Sequence, residues 1–152
     1  MSHSISPRLR RAIKSFCKKH DLIRAKKTPD GGALVTIERV NAPAQSYTLN
    51  NTERGITLGA STEDGFFYGL ATLHQIFANS ESRLRCFEIQ DQPDFECQAV
   101  MLDISRCKVP KMSTLFMIID TLSMLKINQI QLYIEHTFAL SLIHISEPTR
   151  PY

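Results

Sequence analysis

A chain of 152 residues with 43% hydrophobic and 22% charged side chains has the make-up of an ordinary globular protein. No apolar run approaches the ~18 residues of a membrane span. No apolar signal core follows Met1-Ser2-His3-Ser4, so the expected location is cytoplasmic, with no membrane partner. The net charge of +3 is unevenly spread: residues 1–27 hold nine Lys or Arg and one acid, Asp21, and the rest holds nine basic and fourteen acidic side chains.

The first predicted element is a helix from Pro7 to Lys19. Ser6 suits its N-cap and Pro7 its first helical position. Leu9, Ala12, Ile13, Phe16 and Cys17 make an apolar stripe at helical spacing, with basic side chains around it. A basic amphipathic helix can lie on an anionic membrane or a nucleic acid, but Phe16 is the only aromatic here, against the interleaved pattern of a nucleic-acid groove. The segment is therefore read as a packed surface helix with solvated lysines, and no nucleic-acid partner is expected.

Pro29-Asp30-Gly31-Gly32 is a turn by composition. Three strands follow, at 33–40, 45–50 and 55–60, and their short links favour an antiparallel meander. Ser61-Thr62-Glu63-Asp64 opens a helix whose first-turn acids suit its macrodipole. Phe66, Phe67, Leu70, Leu73, Ile76 and Phe77 give this helix a wide apolar face, and Gly65 and Gly69 imply close approach to the sheet. His74 is read as a core-edge residue. A strand at 85–89 and a linker at 90–95 complete this part.

Residues 100–136 read as strand, helix, strand. Val100, Leu102 and Ile104 alternate with Met101, Asp103 and Ser105. Leu115, Ile118, Ile119, Leu122 and Leu125 then recur at helical spacing between Lys111 and Lys126, with Asn128 as the expected left-handed cap. A second strand spans 129–136. A βαβ unit implies parallel, neighbouring strands. Both strands turn polar at their carboxyl ends, where α/β sheets and (β/α)₈ barrels bind ligands. Asp103, Arg106, Glu135 and His136 gather there as a candidate site. The alternative is an Asp103–Arg106 ion pair that steadies a loop. Cys17, Cys86, Cys97 and Cys107 show neither C-x-x-C spacing nor paired histidines. They read as reduced thiols, with no metal and no cofactor implied.

Several motifs in the same order resemble glycoside hydrolase family 20, the β-N-acetylhexosaminidases. They are Gly65-Phe66-Phe67-Tyr68-Gly69-Leu70-Ala71-Thr72-Leu73-His74-Gln75, Asp91-Gln92-Pro93-Asp94-Phe95, Met101-Leu102-Asp103-Ile104-Ser105-Arg106 and Gln131-Leu132-Tyr133-Ile134-Glu135-His136-Thr137-Phe138. Lys108-Val109-Pro110 and Leu125-Lys126-Ile127-Asn128 extend the likeness. The resemblance implies an α/β fold in two parts. A small α+β domain with a mostly antiparallel sheet is expected over 1–92, and the first strand-helix-strand of a catalytic TIM barrel over 93–139. It implies a hydrolase of terminal β-linked N-acetylglucosamine or N-acetylgalactosamine, acting by substrate-assisted retaining catalysis on a carbohydrate substrate. An arginine that grips sugar hydroxyls in the family corresponds to Gln98, which can hydrogen-bond but carries no charge. Gln98, Asp103, Arg106, Glu135 and His136 are thus the implied substrate-binding residues.

The family's adjacent Asp-Glu catalytic pair does not occur in the chain and is expected beyond residue 139. A full barrel takes roughly 250 residues. The chain therefore reads as an inactive amino-terminal fragment. Residues 140–152, with Leu140-Ser141-Leu142-Ile143-His144-Ile145-Ser146-Glu147-Pro148-Thr149-Arg150, resemble a translated sequencing adaptor and read as a non-native tail. Two readings compete. Asp103 and Glu135 could form an acid/base pair, since adjacent parallel strands lie ~4.8 Å apart. The chain could instead be a non-catalytic carbohydrate- or protein-interaction domain, for which the scattered Tyr47, Tyr68 and Tyr133 offer little stacking surface.

Overall fold

The computed structural model describes residues 6–22, 35–80, 84–105 and 109–134. The turn expected at Pro29–Gly32, together with Arg106, Cys107, Glu135, His136 and the 140–152 tail, lies outside them. The described residues form three helices and six strands, arranged in two compact units, Met1–Glu96 and Cys97–Tyr152. No described helix is long and apolar enough to cross a membrane.

The first unit opens with α1, Pro7–Lys19. Its start is set as the sequence implies: Ser6 is extended, and its Oγ accepts a hydrogen bond from the Leu9 amide at 3.1 Å. Leu9 is buried; Ala12, Ile13 and Phe16 pack at the edge of the same core. The Arg8 guanidinium lies 4.7 Å over the Phe67 ring.

Strands β1 (Val35–Arg39), β2 (Tyr47–Thr52), β3 (Gly55–Ala60) and β4 (Phe87–Asp91) form one sheet in the order β1-β3-β2-β4. β2 pairs antiparallel with β3 and with β4, so most of the pairing is antiparallel. The meander expectation is corrected at β1. That strand pairs with β3, in parallel, and β3 separates it from β2 in the sheet order. The seven residues between β1 and β2 make this geometry accessible. Pro43 breaks the strand, and Gln45 takes a left-handed φ of 64°, its amide donating to the Thr62 hydroxyl at 3.2 Å. The register aligns Val35 with Ile56 and Ile37 with Leu58, and sets Leu49 between Leu58 and Ile89. These residues share one face by the two-residue period. Thr48, Asn50 and Glu88 take the other.

Helix α2, Glu63–Ala78, covers the apolar face and also packs against α1. The Thr62 hydroxyl caps it, accepting from the Gly65 amide at 3.3 Å. Phe66, Tyr68, Leu70, Ala71 and Leu73 are buried along it, because the sheet and α1 both lie against it. Gly65 and Gly69 face the sheet. A Cβ at Gly65 would collide with the Ser46 carbonyl oxygen, and one at Gly69 with a Leu58 methyl. The two collisions differ in kind: a carbonyl belongs to the backbone, whereas a leucine methyl can rotate away. Gly65→Ala is therefore expected to cost about 1–3 kcal/mol. Gly69→Ala should cost less, since the ~1 kcal/mol gain in helix propensity offsets a smaller strain. Urea midpoints of the two variants test the ordering, and equal or reversed losses contradict it.

Tyr47, at 2% exposure, carries a polar network through this core. Its hydroxyl donates to Asp91 Oδ2 at 2.7 Å and lies 2.7 Å from Thr72 Oγ1. This joins β2, β4 and α2 while satisfying the buried phenol.

Candidate functional site

The second unit is β5 (Ala99–Asp103), α3 (Met112–Met124) and β6 (Gln129–Tyr133). β5 and β6 pair in parallel, as a strand-helix-strand unit demands, with Ala99 opposite Gln129 and Asp103 opposite Tyr133. Helix α3 starts after Pro110, with Lys111 at its N-cap and no side-chain cap.

Its end corrects one expectation. Lys126, not Asn128, takes the left-handed conformation, with φ 62°. The Ile127 amide reaches back to the Leu122 carbonyl at 2.9 Å and the Lys126 amide to Ser123 at 3.2 Å. These two bonds are the Schellman closure, which places the left-handed residue two after the last helical one. Asn128 takes another task. Its Oδ1 accepts from the Gln98 amide at 3.0 Å, and the amides of Asn128 and Gln129 donate to the Gln98 carbonyl at 3.2 and 3.1 Å.

Those bonds fix Gln98 at the amino-terminal edge of the strand pair. Asp103 ends β5 at the carboxyl edge. Five residues of strand, roughly 16 Å at the usual rise, separate the two backbones. The structure thus sets these two sequence-predicted site residues at opposite ends of one strand. Arg106, Glu135 and His136 lie outside the described residues. At the carboxyl edge, Asp103 Oδ1 accepts from the Ser105 amide at 2.8 Å, turning the chain as it leaves β5. The Ile104 amide and the Ser105 hydroxyl both bond the Tyr133 carbonyl, at 3.0 and 3.3 Å. The first two residues beyond β5 are therefore tied to the last residue of β6, where the polar side chains accumulate. This arrangement can present a carboxylate and hydroxyls to a polar ligand. Among the described residues no group of three or more His, Cys, Asp or Glu is placed to hold a metal.

Residues 3–92, nearly the whole first unit, match the model for glycosyl hydrolase family 20, domain 2. The chain belongs to that family. A β-hexosaminidase of Akkermansia muciniphila is 29% identical over 92 residues, which cover 59% of this chain and 18% of that protein. Among solved structures, a β-N-acetylhexosaminidase from Bacteroides fragilis superposes with a TM-score of 0.70 at 27% identity, over 85% of this chain and 27% of that one. A Streptomyces plicatus β-hexosaminidase variant, solved with its product GlcNAc, shares the fold at a TM-score of 0.67 and 20% identity over 82% of this chain and 28% of its own. This family 20 chain thus spans about a fifth of the curated relative and about a quarter of the structural ones.

The His20–His74 pair was not legible in the sequence. His20 Nε2 and His74 Nδ1 lie 2.6 Å apart, joining the end of α1 to α2 across 54 residues of chain. His74 does sit at the edge of the core, but as half of a hydrogen-bonded pair. The only sequence signal is that His20 falls one turn after Phe16, on the stripe that packs inward.

Proposed function

We propose that this chain is the amino-terminal part of a β-N-acetylhexosaminidase. The first unit is the accessory α/β domain, residues 1–92, and 93–139 opens a catalytic (β/α)₈ barrel. The observation that carries this reading is the family 20 match followed by a parallel strand-helix-strand unit. The solved relative's 85% coverage supports it, because that share exceeds what the first unit can supply.

In the whole protein, a terminal β-linked N-acetylhexosaminide binds at the carboxyl edge of the barrel strands. Asp103, Arg106, Glu135 and His136 line part of that edge, and Gln98 braces the opposite end of β5 from its amino edge. The substrate's acetamido oxygen attacks the anomeric carbon, while an Asp orients it and the adjacent Glu protonates the leaving oxygen. The same Glu then deprotonates the water that opens the oxazolinium ion, giving net retention. Both acids are supplied by later barrel strands, and residues 140–152 are not native sequence.

The test is turnover of p-nitrophenyl N-acetyl-β-D-glucosaminide. The 152-residue chain is expected to give no release of nitrophenol above buffer. A chain extended by the parent gene's own codons after 139 should turn it over. Activity in the short chain, lost on Glu135→Gln, would overturn this reading in favour of an Asp103/Glu135 pair. An extended frame with no Asp-Glu pair and no activity would leave a binding module.

A further inference from the structure

Helix α1 is attached at its carboxyl end by an unusual joint. His20 is its C-cap residue, and its backbone amide bonds the Phe16 carbonyl at 3.2 Å. Its ring packs in an aromatic group, 4.7 Å from Phe16, 5.1 Å from Phe77 and 4.7 Å from His74 between centroids. Phe16 and Phe77 lie 5.7 Å apart and continue the same contact between α1 and α2. With both imidazoles neutral, one ring N–H donates to the other's bare nitrogen across 2.6 Å.

We propose that the His20–His74 pair is an acid-sensitive latch that holds α1 against α2 at neutral pH and releases it on acidification. The chemistry follows from the proton count. One added proton can be shared across the bond. With two, each nitrogen carries its own hydrogen, so two donors and two positive charges face each other. Among the described residues, the charged groups that act on the two rings oppose that state, with one exception. Lys19 lies close to both rings, and α1 already carries Arg8, Arg10, Arg11, Lys14 and Lys18 with no acid. Asp21 is the exception and acts on His20. From α2 only His74 faces the joint, because the acids Glu63 and Asp64 sit in its first turn, roughly 15 Å back along the helix.

Partial burial, with Lys19 second, pushes both imidazoles below their usual range. The sign is then fixed. A histidine held low in the docked state takes up its proton more readily once α1 is released. The latch is complete above the ordinary histidine value of about 6.5 and weakens as pH falls through it toward the lowered values. Release frees a basic amphipathic helix and uncovers Phe77 and the Leu9 contact.

The experiment is amide hydrogen exchange on the full chain at pH 7.5 and 5.0, corrected for intrinsic exchange. Losing one net hydrogen bond sets the expected drop in protection of Leu9–Lys19 at about tenfold. Strands β2 and β3 should keep theirs. The double variant His20→Gln, His74→Gln should lose this pH dependence. An unchanged wild type, or the same drop in the double variant, overturns the proposal. Should the double variant leave α1 undocked at both pH values, NMR titration of the wild-type imidazole C–H signals decides. Two coupled steps below the usual histidine range support the latch, and two independent ordinary titrations reject it.

Discussion

Phe66→Ala is expected to remove about 3–5 kcal/mol from the unfolding free energy of the first unit. Phe66 is 2% exposed and belongs to the cluster that also contains Tyr47, Leu49, Leu58 and Leu73. Truncation loses the transfer energy of the ring and leaves a cavity. The cavity cannot close easily, because Gly65 already sits against the Ser46 carbonyl and holds the helix in place. Against the ~5–15 kcal/mol of a typical domain, this is about a fifth of the stability or more. Urea unfolding followed by far-ultraviolet circular dichroism measures it. A loss under about 1 kcal/mol would mean that α2 is not packed around Phe66.

The second large effect is a contrast between the two units. Amides of α3 are expected to exchange at least about a thousandfold faster than those in the middle of α2, the factor set by a ~5 kcal/mol opening energy in a packed domain. No described residue of the second unit is buried, and α3 buries none of its thirteen. Met112, Phe116, Met117 and Ile119 on α3 are all exposed, as are Leu125 at its C-cap, Met101 on β5 and Leu132 on β6. A two-stranded sheet with one helix has little apolar area to set against the entropy of ordering. Such surfaces and open strand edges also invite association. Uniform protection from Val35 through Ile134 would contradict this picture.

Local signals were well written into the chain. The Ser6-Pro7 start, the inward stripe of α1, the hairpin through Gly55 and the close-packing glycines of α2 each depend on neighbours a few residues away. Pairing order was not written in this way. The alternation in β1 makes it a strand but does not say which strand it joins, and a left-handed Gln45 behind Pro43 carries the chain past the nearest choice. The end of α3 was misjudged by residue type. Asn128 favours the left-handed region, yet hydrogen-bond closure imposed it on Lys126. At the candidate site, the carboxyl-edge position of Asp103 followed from strand polarity. The distance to Gln98 was implicit in the same count, since a residue just before a strand cannot share an edge with the residue that ends it. The histidine joint depends wholly on tertiary packing.

The glycines of α2 have a consequence for comparing relatives. Gly65 and Gly69 are one turn apart and set how near the helix axis lies to β2 and β3. They act as a spacer of fixed thickness. A relative with alanine at the position of Gly69 should carry a side chain smaller than leucine opposite it, at the position of Leu58. No such exchange can relieve the position of Gly65, where the obstacle is main chain. Homologues aligned over this helix should therefore vary as a pair at the first place and hold glycine alone at the second.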